Sequence, residues 1–396
     1  MSVNTMQIED VYSVLNDLHE QTTGYASAIQ AVDTSTFNSV AQAVLQTGTD
    51  CVYAALMNTI TKTIFSSRPY SRQFGGIIAD NLKWGGITRK ITFGDTDAEA
   101  DDAYVGLPAD GSSVDPYVIN RGEVVETRYY GTTVYQDHFT VFEDQLFNAF
   151  SGPDQLGDFI STKVQEVNNK WVQWTEDLAR GMIINAIAAN IINYGMYISL
   201  LSEYAADSGQ TITIQDVYTS TYSKPFWEYV RAKIKSVSRE FEQRSNLYQC
   251  PLASWPHIYR HTPARNQKIY MLAKYMDIME TTALAEVFHD DYLKYADVEK
   301  IAFWQEIYHP DSISLSKFVC LDGTTGTYTD ITPVSQQIDG ILGFMFDEDA
   351  LLINIKDTIV RNSAFNPRGL YWNTYLHANV QYCTDFTEKM VAFVLD

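Results

Sequence analysis

Ile87-Thr88-Arg89-Lys90-Ile91-Thr92-Phe93 and Val124-Val125-Glu126-Thr127-Arg128-Tyr129-Tyr130 are two short runs around which the rest of the chain is arranged. Both alternate and are rich in β-branched and aromatic residues, the pattern of half-buried strands. Residues 94–123 between them are polar and punctuated by Gly, Asp and Pro, which reads as loop. The simplest structure for residues 84–139 is a long two-stranded arm. An isolated hairpin is only marginally stable, so this arm must lie on its own body or on a neighbouring chain.

Charge is sorted along the arm. No Lys or Arg stands between Lys90 and Arg121, whereas Asp95, Asp97, Glu99, Asp101, Asp102, Asp110 and Asp115 all do. The tip is therefore acidic, and the roots carry Arg89, Lys90, Arg121 and Arg128. A tip laid across the root of a second copy would be complementary, guiding register more than adding affinity. A solvated acidic loop gives the same pattern. Residues 95–101 imitate a calcium loop, but the sixth position is Ala100 rather than glycine and the twelfth is Gly106 rather than a bidentate glutamate.

Beyond the arm, Ser151-Gly152-Pro153-Asp154 is a helix start. Leu156, Ile160, Val164, Val167, Trp171, Trp174, Leu178 and Met182 then follow in steps of three or four. The spacing predicts one helix of about 35 residues, roughly 50 Å long, so an elongated body is being spanned. Upstream, Ile8, Val11, Leu15 and Leu18, then Val40, Val44, Cys51, Ala55 and Ile60, predict two amphipathic helices on a tether. A basic, extended connector follows. Downstream, residues 201–335 read as a separate α/β lobe, with a short strand at 211–214 and helices marked by Phe226, Val230, Ile234, Val237 and Phe241 and by Ile269, Leu272, Tyr275 and Met276. Strand character returns at 341–346, 350–355 and 390–395.

Composition narrows the function. The 396 residues are 45% hydrophobic and 19% charged, enough to bury a large core divided into lobes. The formal charge of -21 opposes non-specific attraction to phosphate backbones and suits a soluble protein held at high copy number. No stretch has the roughly 18 unbroken apolar residues of a membrane span, and the amino terminus lacks the basic start and apolar core of a signal peptide. Cys51, Cys250, Cys320 and Cys383 stand far apart, suggesting neither zinc site nor disulfide framework. His257 and His261 are four apart, but Pro256 precedes them and no third ligand is evident. No Walker loop, GxSxG, HExxH or GxGxxG after a strand occurs, and no carboxylate pair is singled out by context. No cofactor and no catalytic residue is expected. With 26 Tyr against 19 Phe, the chain favours surfaces packed on one side and wet on the other, although a Tyr-rich monomer core would read alike.

The order of these parts resembles the major capsid proteins of tailed bacteriophages, with the Hong Kong 97 fold, and among them those of small, short-tailed phages of Gram-positive hosts. The residues carrying the resemblance run from 56–60 through Arg68-Pro69-Tyr70 and Trp84-Gly85-Gly86, then Thr282-Ala283-Leu284-Ala285-Glu286-Val287-Phe288, Asp347-Glu348-Asp349-Ala350-Leu351 and the 368–377 segment. Their order, spanning nearly the whole chain, carries it. The resemblance implies an α+β chain with an N-terminal arm (1–83), an extended loop (84–139), a peripheral domain with a spine helix (140–200), an axial domain (201–335), and C-terminal strands returning to the peripheral domain (336–396). It implies hexamers and pentamers closing an icosahedral shell around packaged double-stranded DNA, with each extended loop over a neighbour. Expected partners are further copies, a separately encoded scaffold, a portal at one vertex and weakly contacted DNA, with Lys62, Arg68 and Arg72 assigned to the DNA side. The expected location is the virion, after assembly in the host bacterial cytoplasm. Some relatives crosslink a lysine to an asparagine. The arm interior has no lysine, so no such bond is expected here. Another virion part, a tail or connector component, would also explain the long helix, the acidity and the missing motifs; an acidic cytoplasmic hydrolase explains only the acidity.

Overall fold

The computed structural model describes residues 8–24, 30–66, 74–79, 87–94, 117, 124–130, 132–251, 258–283, 297–332 and 336–396. Along the chain, α1 (Ile8–Thr23), α2 (Thr34–Gln46) and α3 (Thr49–Ser66) precede β1 (Ile78–Ala79), β2 (Ile87–Phe93), β3 (Val124–Tyr130) and β4 (Thr133–Phe142). Next come α4 (Glu143–Ala149), α5 (Pro153–Ala188), β5 (Tyr197–Ser199), α6 (Leu200–Ser208), α7 (Ser223–Glu242), β6 (Gln267–Leu272) and α8 (Ala273–Ala283). The remaining strands are β7 (Asp297–Ile301), β8 (Ile313–Leu315), β9 (Phe318–Leu321), β10 (Tyr328–Ile331), β11 (Gln336–Ile338), β12 (Ile341–Asp347), β13 (Leu351–Asn362), β14 (Tyr371–Thr384) and β15 (Met390–Val394).

The long helix organises the body. α5 holds 36 residues, about 54 Å at 1.5 Å per residue. Pro153 opens it at a position where its missing N–H costs nothing. Its two halves enter different hydrophobic clusters: Leu156, Ile160, Val164 and Val167 join the N-terminal helices, whereas Ala179, Met182, Ile183 and Ile187 join the larger core of the second lobe. The helix ends in a π turn at Ala189–Tyr194, closed by Gly195 at φ 63, a left-handed conformation glycine adopts without a Cβ penalty.

The N-terminal segment differs from the expected tethered pair of helices. The second periodic stretch is two helices, broken where Gly48 takes φ 107, and all three dock on the body. Val11, Leu15, Phe37, Val44, Tyr53 and Leu56 pack into one cluster with Trp372 of β14 and the first half of α5. Asp33 caps α2 in a reciprocal capping box with Thr36.

Two principal sheets hold nine of the described strands, and β9 with β10 and β8 with β11 form separate two-stranded pairs. Of the principal sheets, one is ordered β1-β13-β14-β4 and the other β5-β15-β12-β6-β7. Residues 336–396, expected to return together to the peripheral domain, are shared between them: β13 and β14 pair in the first sheet with β4, while β12 and β15 pair in the second with β6 and β5. The sequence signals the division in the burial each strand can tolerate. β12 and β15 are apolar throughout apart from Asp347 and are buried at every position, as a central strand covered on both faces must be. β14 instead alternates buried and half-buried positions for most of its length, as in a sheet with one open face. The strand expected at 211–214 is absent: Ile212 is buried, but Thr213 turns onto Asp216 through its amide and hydroxyl.

Candidate assembly interface

The arm has two chemically different faces, as period-two alternation dictates. β2 and β3 pair antiparallel with Arg89 opposite Arg128, Ile91 opposite Glu126 and Phe93 opposite Val124. These six residues share the outer face and are exposed. The other face carries Lys90, Thr92, Val125, Thr127 and Tyr129, all half-buried or buried against the body.

The inner face is held by charge as well as by packing. Lys90 Nζ lies 2.8 Å from Asp385 Oδ2 and 2.5 Å from Glu388 Oε1. Arg260 approaches Glu388 at 3.3 Å and donates to Thr92 Oγ1 at 2.9 Å and Thr387 Oγ1 at 3.2 Å. Thr387 in turn donates from its amide and hydroxyl to Asp385 Oδ1 at 2.9 and 2.6 Å. Two cations thus face two carboxylates, so the group closes with no net charge. Gln381 adds a bond from Nε2 to the Tyr129 carbonyl at 2.7 Å.

The titration of these groups follows from burial and neighbours. Burial pulls the Lys90 ammonium down, yet Asp385 and Glu388 outweigh it and hold the amine above its usual value. Burial would raise Asp385, but the Lys90 charge and hydrogen bond, with the Thr387 donors, keep it below the usual carboxylate range. Glu388 goes the other way: burial raises it despite Lys90 and Arg260, and the Asp385 charge adds to the rise. Tyr129 is also raised, by burial and then by Asp385.

Lys389 completes the junction. Its ammonium donates to the carbonyls of Glu240 (3.1 Å) and Gln243 (2.7 Å) and to Ser245 Oγ (3.0 Å), so all three donors are used at the C-terminal end of α7, where a cation is favoured. Burial nevertheless pushes it from 10.5 down to about 8. Between those values the unfolded chain keeps a proton that the folded chain has released, so the stability from this group rises with pH across the window. Urea unfolding of wild type and Lys389→Met at about pH 7.5 and about pH 9.5 should therefore show the gap widening in favour of wild type at the higher pH.

A cavity of about 810 Å³ opens beside this junction, between β3, α5 and the β9–β10 hairpin, with Val125, Leu178, Met182, Val319, Tyr328 and Phe386 among its apolar lining. No group of three or more His, Cys, Asp or Glu able to hold a metal occurs among the described residues.

The sequence-derived contact residues separate into three groups. Arg89 and Arg128 stand exposed on the outer face, bridged by Glu126 at 3.5 and 2.8 Å, which leaves one net positive charge there. Lys90 is committed inside its own chain. Arg121 and the acidic tip of Asp95, Asp97, Glu99, Asp101 and Asp102 lie outside the described residues, as do Arg68, Arg72 and the Lys62 side chain. His257 also lies outside them, and His261 is exposed. Arg260, Asp385 and Glu388 escape sequence reasoning because Glu388 lies 298 residues from Lys90. Their one local signal is a charged turn, Asp385-Phe386-Thr387-Glu388-Lys389, running straight into the apolar β15.

Comparison with known proteins identifies the fold and the family together. The chain matches the Phi29-like phage major capsid protein family over residues 13–394, including the arm strands, the long helix and both sheets. It belongs to that family. The subunit is therefore a structural component of the phage virion that assembles with copies of itself in a capsid shell, and is not an enzyme. A chain of the capsid structure of Staphylococcus phage Andhra superposes with a TM-score of 0.54 at 12% identity, covering 82% of this chain and 84% of that one. A chain from the structure of head fiber and inner core protein gp22 of native bacteriophage P68 gives 0.51 at 10% identity, covering 82% and 85%. These likenesses agree with the expected α+β, Hong Kong 97-like fold. No curated protein sequence matches the capsid subunit. None of its described helices is long and apolar enough to cross a membrane.

Proposed function

We propose that this capsid protein forms hexamers and pentamers that close an icosahedral shell around packaged double-stranded DNA, each arm reaching over a neighbouring copy. The observation that carries this reading is the two-faced arm: its inner face is fixed to its own body by the buried Lys90 cluster, while its outer face presents Ile91, Phe93 and Val124 to solvent. An exposed apolar face on a firmly anchored ribbon suits contact with another chain. In this reading residues 1–83 form the N-terminal arm, 84–139 the extended loop, 140–200 the peripheral domain, 201–335 the axial domain, and 336–396 strands that tie the two domains together. A scaffold during assembly and a portal at one vertex complete the set of partners. Contact with DNA is local and phosphate-directed, given the charge of -21.

Deletion of residues 94–117 tests the arm. Full-length protein with scaffold should give closed particles by negative stain and size exclusion, and the deletion should give only small species. Shells that form unchanged without the segment would remove the role given to the arm; a full-length chain that stays monomeric would overturn the shell reading.

A further inference from the structure

The outer face of the arm is matched by a second exposed apolar patch at the other end of β14. There Phe142, Leu370 and Tyr371 come together: Tyr371 and Phe142 are cross-strand partners with ring centroids 6.0 Å apart, and Glu143 donates its amide to the Leu370 carbonyl at 2.9 Å. Phe142 and Leu370 are 48% and 49% exposed, and Phe147, also exposed, follows on α4. Leu370 sits at φ 51, a left-handed conformation that a leucine adopts at a cost, so the turn bears strain while presenting an apolar side chain to water. Glu143 and Asp144 border the patch and outnumber Arg368 in the adjoining turn. Charge and apolar character are thus complementary: Ile91, Phe93 and Val124 with one net positive charge on the arm, and the exposed Phe142, Phe147 and Leu370 with one net negative charge here.

These two surfaces cannot meet within one copy. The arm is tied to β14 at Gln381 and lies beside residues 385–388, whereas the patch is at Tyr371. Ten residues of extended strand separate Tyr371 from Gln381 along β14, about 33 Å. Two complementary surfaces at opposite ends of one element make a head-to-tail contact, the kind that closes into rings when the rotation permits.

We infer that the outer face of the arm, through Ile91, Phe93 and Val124, seats on the Phe142–Leu370 patch of a second copy, with Arg89 and Arg128 toward that copy's Glu143 and Asp144. The inference rests on the shell reading and specifies the contact that would build its rings.

Cysteine crosslinking of assembled particles tests the contact. Cys51 is exposed and is first replaced by serine, the other three cysteines being buried. Particles are imaged by negative stain, treated with a thiol oxidant and run on a non-reducing gel. A chain carrying both Phe93→Cys and Leu370→Cys should lose its monomer band into a ladder extending beyond dimer, because each copy holds both halves of the contact. Co-assembly of the two single variants should stop at dimers, and Phe93→Cys with Tyr308→Cys should stay monomeric. Separately, Arg128→Glu should lower particle yield and Asp144→Lys in the same chain should restore it. Intact shells with no ladder, or a Phe93→Cys/Tyr308→Cys ladder of equal strength, overturn this contact alone; a wild type that forms no shell overturns the shell reading with it.

Discussion

Lys90→Met is expected to destabilise the subunit by about 3–5 kcal/mol, the range for removing one partner of a buried ion pair. The side chains of Asp385 and Glu388 are only 3% and 8% exposed, so the carboxylates left behind have little water to turn to. Arg260 reaches only Glu388, leaving Asp385 with its Thr387 donors and an uncompensated charge. The cost should appear as a lower urea midpoint and as faster hydrogen exchange across β2 and β3, since the same contact docks the arm. Adding Asp385→Asn to Lys90→Met should recover part of the loss, because the orphaned charge goes with it. A change within the ~1 kcal/mol of an exposed pair would mean that the cluster does not hold the arm. The acid response has a defined sign. Asp385 titrates below its ordinary 3.8, so the stability it contributes is present above that value and lost as the pH falls through its folded value. Glu388 is raised, so its contribution declines as the pH climbs from 4.5.

Trp372→Ala should be comparably severe, about 3–5 kcal/mol, as for other large aromatic truncations in a core. Trp372 is 1% exposed, stacks on Tyr53 at 4.9 Å and 15°, lies 4.6 Å from the Phe365 ring, and donates from Nε1 to Asp50 Oδ1 at 2.7 Å. Its loss would open a cavity between α3 and β14 and leave the Asp50 carboxylate without that donor. The N-terminal helices depend on this cluster for their docking, so limited proteolysis should release them before the five-stranded sheet yields. Tyr53→Phe, which removes only the hydroxyl bonded to Thr374 Oγ1 at 2.5 Å, should cost about 1 kcal/mol. Equal sensitivity of both lobes to protease in Trp372→Ala would contradict the division into two cores.

How legible each part was depends on how local its cause is. The alternation in 87–93 and 124–130 reads out directly, because each side chain's face is fixed by the pleat of its own strand. The long helix reads equally well from its spacing and from Pro153. The N-terminal helices were legible as helices but not as docked ones, since their seat is Trp372, more than 300 residues on. The arm's charges were legible as charges only. Whether a lysine at the root points outward or inward depends on which residues the tail delivers beneath it, and Lys90 meets Asp385 while Arg89, one residue earlier, stays on the exposed face beside Glu126.

Local sequence suffices for the arm strands, the long helix, the apolar tail strands and, through their order, the resemblance to phage capsid proteins. Periodicity and turn chemistry act over a few residues and need no partner to be read. Tertiary structure alone decided that β12 and β15 leave β13 and β14 for another sheet, that Lys90 is neutralised within its own subunit, and that two complementary apolar patches stand at opposite ends of β14. Each of these depends on pairings across hundreds of residues, where burial and charge are settled by what the fold brings alongside rather than by what the chain places next.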